Sequence, residues 1–411
     1  MTAGSSAPDH LAWFRNARVG MFIHWGPVSL RGTEIGWSRG DGVPVVEYDQ
    51  LYKQFNPTKF NADEWMNLAK RAGFRYVVPT AKHHDGFCLW PTKASDYNIM
   101  STPFHRDIMG EIAHAAKHYG ITMCSYFSIL DWHSPDYGTG SPGGRGHKPS
   151  PNMDRHMETV KTEVSELVKN YGIRMIWFVG QWEAPYTREY SIDLNHYLRQ
   201  LSPGLIINDR INSTKLLPDD PKGDYRTPEQ EVGSYDTSSP WETCMTLGDQ
   251  WAYRPHDHYK TIPQILKVLV QTVTGDGNLL LNVGPDETGQ IVNEQKELLL
   301  GLGSWLGKYG VSVYGTRGGP YRNGNWGGTT RKGKSVYFHV LDWGNGEIRL
   351  PSLPAKILRY GVLQPGVRVA CSSDHDGLTL KLSSPTPSEP TTVKVDLDQD
   401  AWSLGTINPM K

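Results

Sequence analysis

The chain has 411 residues, in which 42 Lys and Arg nearly cancel 43 Asp and Glu, leaving a formal net charge of −1. That balance excludes a general electrostatic pull toward nucleic acid or an anionic membrane, so any partner must be recognised locally. No apolar run approaches the ~18–20 residues of a membrane span, and the length suits a large domain followed by a smaller one.

The 14 Trp and 20 Tyr offer flat apolar faces with a polar edge, which suits sugars and equally suits a large core. The cysteines Cys88, Cys124, Cys244 and Cys371 are far apart and form no metal or redox spacing, so they are read as free thiols. The opening MTAGSSAPDH lacks the basic start and apolar stretch of a secretory signal. The compartment stays open: cytoplasmic, or periplasmic or secreted if a signal was trimmed.

Between residues 18 and 316, short β-branched and aromatic segments alternate with amphipathic stretches, the rhythm of a parallel sheet with helical crossovers. Candidate strands fall at 20–25, 76–80, 122–128, 175–179, 205–208, 241–246 and 278–283. Helices are expected at 62–72, 107–118, 153–170 and 293–308, where apolar residues recur three and four apart. Strands end in His24, in His83, His84 and Asp85, in Asp131, Trp132 and His133, and in Asn208, Asp209 and Arg210. Barrel enzymes place their sites at the C-terminal ends of strands, and no Gly-rich phosphate turn follows the first strand. An α/β fold of the (β/α)8 TIM-barrel type is therefore expected over 1–316. From 317 to 411, Gly, Pro and Ser clusters separate short alternating segments at 335–340, 355–360, 367–370, 378–382 and 392–397, which predicts a C-terminal antiparallel β-sandwich. The Gly/Pro-rich stretch 138–151 reads as a plain surface loop or as a lid over the barrel mouth.

Histidines and carboxylates at three neighbouring strand ends favour a polar pocket over unrelated buried histidines. Alternation along a strand would turn His24 away from Trp25 and His83 away from His84. That spacing argues against a metal site, although His and Asp are good zinc ligands. Glycoside hydrolysis requires two carboxyl groups, about 5–5.5 Å apart for retention or about 6.5–9.5 Å for inversion. The candidates are Asp85, Asp131, Glu183, Asp209, Glu229, Glu231 and Glu242, and spacing alone selects no pair.

The ordered segments GMFIHWG, TAKHHDGF, DWHSPDY, MIWF-x-GQWE, INDR, TPEQE, WETC, GNLLLNVGP and TRGGP resemble the signature segments of the α-L-fucosidases of glycoside hydrolase family 29. The resemblance runs from about residue 13 to 320 and implies a retaining enzyme, without cofactor, acting on terminal α-L-fucosyl groups of oligosaccharides or glycoconjugates. It implies that His24, His83 and His84 bond sugar hydroxyls, that Tyr126 and Trp177 line the pocket, and that Arg210 lies near the catalytic carboxylates. Glu34 and Trp37 correspond to the family's Glu and Trp pair after the first strand, and Trp326 would touch the sugar from the C-terminal side. Glu229 aligns with the acid/base, with Glu231 and Glu242 as alternatives. In the WF-x-G slot, where the family keeps its nucleophilic aspartate, this chain has Val179. Valine has no lone pair to attack an anomeric carbon and no charge to stabilise an oxocarbenium-like transition state. Weak or absent hydrolysis is the expectation. The alternatives are a non-catalytic fucose-binding protein, or a glycosidase that relocated its carboxylate to Glu183 or inverts through water.

Overall fold

A computed structural model describes residues 9–139, 145–375 and 377–408. Its parallel sheet holds β1 (Val19–Ile23), β2 (Tyr76–Lys82), β3 (Thr122–Met123), β4 (Ser125–Ser128), β5 (Met175–Val179), β6 (Ile206–Ile207), β7 (Glu242–Thr246) and β8 (Asn278–Val283). Strands β1 and β2 pair in parallel, β1 also pairs β8, and the order runs β6-β5-β4-β2-β1-β8-β7. The gap between β6 and β7 is closed by a segment too irregular to count as a strand. Isolated parallel bridges join Asn208 to Tyr225, Arg226 to Trp241 and Glu229 to Cys244. With β3 and β4 as one interrupted strand, this segment is the eighth stave of a closed barrel, and Glu229 sits at its C-terminal end. All seven expected strands are present, and the eighth is the one without a β-branched run to announce it: RTPEQE.

The helices relevant to the barrel are α1 (Ala12–Ala17), α2 (Val45–Tyr48), α3 (Ala62–Arg71), α4 (Ile108–Tyr119), α5 (Met153–Tyr171), α6 (Arg188–Leu201), α7 (Ile262–Thr274) and α8 (Asn293–Tyr309). Several start on side-chain caps that satisfy otherwise orphaned backbone N–H groups: Asn61 for α3, Asp107 for α4, Asn152 for α5, and a Thr261/Gln264 capping box for α7. The core strands are buried on both faces, as a helix-wrapped parallel sheet requires. Outward side chains such as Met21, Val77, Phe127 and Leu281 pack on the helices, while Phe22, Tyr76, Tyr126, Trp177, Val179 and Leu280 fill the interior. Among the described residues, no helix is long and apolar enough to cross a membrane.

The named strands of the C-terminal region all pair antiparallel. A five-stranded sheet in the order β13-β16-β11-β10-β9 comprises β9 (Arg317–Gly318), β10 (Gly327–Lys332), β11 (Ser335–Val340), β13 (Ile357–Val362) and β16 (Thr391–Leu397). A three-stranded sheet, β12-β15-β14, comprises β12 (Glu347–Leu350), β14 (Val369–Ser373) and β15 (Leu378–Leu382). Phe338, Val393 and Val395 of the first sheet share a core with Ile348, Leu378 and Leu380 of the second. The barrel anchors to this region through Asp276, fully buried between Arg18 and Arg317, whose guanidinium lies 2.6 Å away.

Candidate active site at the barrel mouth

The C-terminal ends of the strands surround a cavity lined by Phe22, His24, Trp37, His83, His84, Tyr126, Trp177, Val179, Trp182, Arg210, Glu229, Cys244 and Trp251. Strand alternation accounts for much of this lining: Phe22 and His24 alternate inward from β1, and Trp177 and Val179 from β5. Trp25 turns the other way, onto Phe55, Phe60 and Trp65. The expected opposition of His83 and His84 is overturned, because both line the cavity with ring centroids 4.3 Å apart. β2 ends at Lys82, and the chain turns through Gly86 at φ 79°, so alternation no longer governs the pair. A Cβ on Gly86 would lie 2.2 Å from Asp131 Oδ1, so glycine is required there.

Two imidazoles have their tautomers fixed by their partners. His24 Nδ1 lies 2.7 Å from Asn282 Oδ1, while Asn282 Nδ2 donates to the Trp251 carbonyl at 2.7 Å. The amide oxygen is thus the acceptor and Nδ1 carries the proton, leaving Nε2 of His24 with its lone pair. His84 Nδ1 lies 2.7 Å from Ser128 Oγ, whose own hydroxyl donates to the Leu130 carbonyl at 2.6 Å. His84 therefore also donates from Nδ1 and keeps Nε2 as an acceptor. Burial pushes both imidazoles down to about 3, and burial with the neighbouring His84 and His24 pushes His83 down as well, so all three are neutral at pH 7. Neutral acceptors suit the hydroxyl donors of an uncharged ligand. Aromatic faces complete the walls: Tyr126 stacks on His83 at 4° and on Trp177 at 14°, and Trp251 lies 4.8 Å from His24.

On the side of the eighth stave, Arg210 bonds Glu229 Oε2 at 2.7 Å, donates to Thr227 Oγ1 and its carbonyl, and lies over the Trp177 ring at 4.6 Å. Gln230 adopts φ 57° immediately after Glu229, and its N–H donates to the Cys244 carbonyl. This turn holds the Glu229 carboxylate at the rim, with its side chain 40% exposed.

The other strand-end carboxylates have partners elsewhere. Asp85 accepts from the Tyr48 hydroxyl at 2.7 Å and is pushed up to about 6 by burial, while Asp131 accepts from the N–H groups of His133 and Ser134. Asp209 accepts from Thr227 Oγ1. Glu183 accepts from Tyr137 OH at 2.5 Å and Trp132 Nε1 at 3.3 Å and lies outside the cavity lining, as does Glu231. Glu242 lies below the cavity floor, fully buried, accepting from Tyr76 OH and from Trp177 Nε1 at 3.1 Å. Among the described residues, Glu229 is the one carboxylate lining the cavity.

Two expected contacts are corrected. Glu34 does not line the cavity; its carboxylate accepts from the N–H groups of Trp251 at 2.8 Å, Ala252 at 2.9 Å and Ile35 at 3.1 Å, and so holds the segment bearing Trp251. Trp326 lies away from the mouth, partly buried against the sandwich core. Nearby Asn323 bonds the Gln271 carbonyl near the C-terminal end of α7, where the chain enters β8 at the opposite end of the barrel. Residues 140–144 of the expected loop or lid lie outside the described residues. Phe22, Trp182, Cys244 and Trp251 line the cavity without having been singled out. The inward phase of β1 and β7 would have flagged Phe22 and Cys244, whereas nothing local marks Trp251.

A family model described as alpha-L-fucosidase matches residues 4–311. The chain belongs to the α-L-fucosidase family. Its similarity to tissue alpha-L-fucosidase of Homo sapiens is 32% identity over 92% of this chain and 86% of that protein, and to the Bos taurus enzyme 32% over 81% and 75%. Among solved structures, alpha-L-fucosidase isoenzyme 1 from Paenibacillus thiaminolyticus superposes with a TM-score of 0.87 at 31% identity, covering 95% of this chain and 99% of that one. The family 29 alpha-L-fucosidase of Bacteroides thetaiotaomicron, trapped as a covalent intermediate with 2-fluoro-fucosyl fluoride, gives 0.85 at 28%, covering 97% and 98%. The barrel-plus-sandwich architecture of this α-L-fucosidase family member is thus shared along nearly its whole length.

Proposed function

We propose that the cavity binds a terminal α-L-fucosyl group, with Glu229 at the glycosidic oxygen and Val179 beneath the anomeric carbon, and that this chain hydrolyses the bond weakly or not at all. The observation carrying this reading is the single carboxylate in the cavity lining. Retention requires a second carboxyl group about 5–5.5 Å from the first, and at position 179 a hydrocarbon side chain stands instead. Glu183 is a poor replacement, since Tyr137 and Trp132 occupy its oxygens away from the lining. The neutral acceptors of His24 and His84 support recognition of sugar hydroxyls, and the aromatic wall supports contact with the sugar's methyl and C–H faces.

The test compares release of fucose from an aryl fucoside and from a fucosylated oligosaccharide by this chain and by Val179→Asp, with calorimetric titration of L-fucose into both. Restoring a nucleophile should raise turnover on the order of 10³-fold or more, the scale on which nucleophile deletions act. Equal and substantial turnover by both proteins would overturn the assignment of position 179. Saturable fucose binding with no turnover in either protein would favour a purely sugar-binding protein.

A further inference from the structure

The segment KHHDGF gives His83 and His84 to the cavity and leaves Lys82 with no part in its lining. Lys82 is fully buried on the outer side of β2. Its ammonium lies 2.5 Å from Glu163 Oε2 of α5, 3.7 Å from Asp131 Oδ2, and over the Phe127 ring at 4.5 Å. Burial works against its charge, but Glu163 and Asp131 outweigh that effect and push its pKa up, so the side chain is an ammonium. Around Glu163, itself fully buried, α5 turns Val160, Val164 and Leu167 inward. Apolar side chains of similar volume would serve that packing as well, because desolvation offsets most of the attraction within a buried ion pair. What the charges add is direction.

They grip one loop at its ends and in its middle. Lys82 and Cys88 form an isolated antiparallel bridge, and the Leu89 N–H donates to the Ala81 carbonyl at 2.9 Å, so residues 83–87 form a closed loop. Glu163 holds both ends: Oε2 accepts from Lys82, and Oε1 accepts from the Cys88 thiol at 3.7 Å. Asp131 holds the middle. Its Oδ1 occupies the space that a Cβ on Gly86 would need and accepts from the N–H groups of His133 and Ser134. Between them, the Trp132 N–H donates to the His84 carbonyl at 2.8 Å. Lys82 reaches both carboxylates, so the α5 side and the β4 side of the loop are fixed to one another. Strand alternation has ended at Lys82, and the direction of His83 and His84 is set by this loop alone.

We propose that Lys82, Glu163 and Asp131 are positioning residues for the cavity: their buried ion pairs fix the loop that turns His83 and His84 inward, and so set the affinity for the sugar without touching it. The ligand named here rests on the fucosyl reading of the cavity. The clamp itself rests on the loop.

The experiment records L-fucose affinity by calorimetry, thermal melting and the imidazole nitrogen NMR spectrum for the full chain and three variants. Lys82→Met/Glu163→Leu removes both charges at similar volume; Asp131→Ala empties the space against Gly86 while Lys82 keeps Glu163; Asp131→Asn keeps the acceptor oxygen. The first two should bind fucose about tenfold more weakly or worse, on the scale by which small misplacements of binding groups act. Both should also lose the Nδ1–H signal of His84, while that of His24, held by Asn282 on β8, persists. Asp131→Asn should retain the His84 signal and stay within about threefold of the unmodified affinity. Should the double variant not fold, Asp131→Ala carries the test alone. An unchanged His84 signal and unchanged affinity in the folded disrupting variants, whatever their melting temperatures, overturn the clamp. Failure of fucose to bind the folded, unmodified chain overturns the fucosyl reading, and the His84 signal then still decides the clamp.

Discussion

Replacing Glu242 by Gln tests how the cavity floor is built. Glu242 is fully buried and accepts hydrogen bonds from Tyr76 OH and Trp177 Nε1, so it fixes the indole on which Arg210 rests. Burial pushes its carboxyl from 4.5 up to about 8, against the opposing effect of the two hydrogen bonds. Between those pH values the folded chain retains a proton that the unfolded chain has released. Stability contributed by this group is thus fully present below pH 4.5 and is lost as pH rises toward 8. At about 1.4 kcal/mol per pH unit, the loss across that window is about 5 kcal/mol. Gln can satisfy the same neighbours, accepting from Trp177 Nε1 through its oxygen and donating to the Tyr76 oxygen through its amide, and it does not titrate. Chemical denaturation of both proteins at pH 5, 6, 7 and 8 should therefore show Glu242→Gln gaining on the parent by about 1 kcal/mol or more per unit. Taking the difference between proteins cancels the other titrating groups. A difference that stays flat with pH would refute the picture of a neutral carboxylic acid under Trp177.

Two further outcomes follow from the same geometry. Val and Asp are close in volume, so Val179, 4% exposed, leaves no room for an external nucleophile; Val179→Gly opens that room, and azide should then accelerate aryl fucoside cleavage at least tenfold over the same variant without azide, with β-fucosyl azide as the product seen by NMR. Glu34→Gln replaces one acceptor oxygen by a donor facing backbone N–H groups at 2.8–3.1 Å, which should cost about 1–3 kcal/mol of stability by denaturant titration and weaken fucose binding through displacement of Trp251.

The barrel was legible because its strands carry apolar, β-branched runs ending in polar residues, and side-chain alternation alone separates His24 from Trp25. The stave with Glu229 was not legible as a strand, since RTPEQE has no strand pattern and is held by single bridges to its neighbours. Helices α6 and α7 were passed over as well, although Thr187 and the Thr261/Gln264 box cap them in the ordinary way. In the sandwich, β10 and β12 escaped notice because Gly327, Gly328 and a charged, four-residue strand dilute the alternation.

For the site, the resemblance of the ordered segments to the family named His24, Trp37, His83, His84, Tyr126, Trp177, Val179, Arg210 and Glu229, and all of them line one cavity where barrel closure brings the C-terminal halves of the staves together. What the chain order could not contain is direction off the strands. Tertiary structure alone placed both neighbouring histidines inward through the turn at Gly86, gave Glu34 to backbone amides, packed Trp326 against the sandwich core, and brought Trp182 and Trp251 to the mouth. Loops have no fixed side-chain period, so where their residues point is decided by what they pack against.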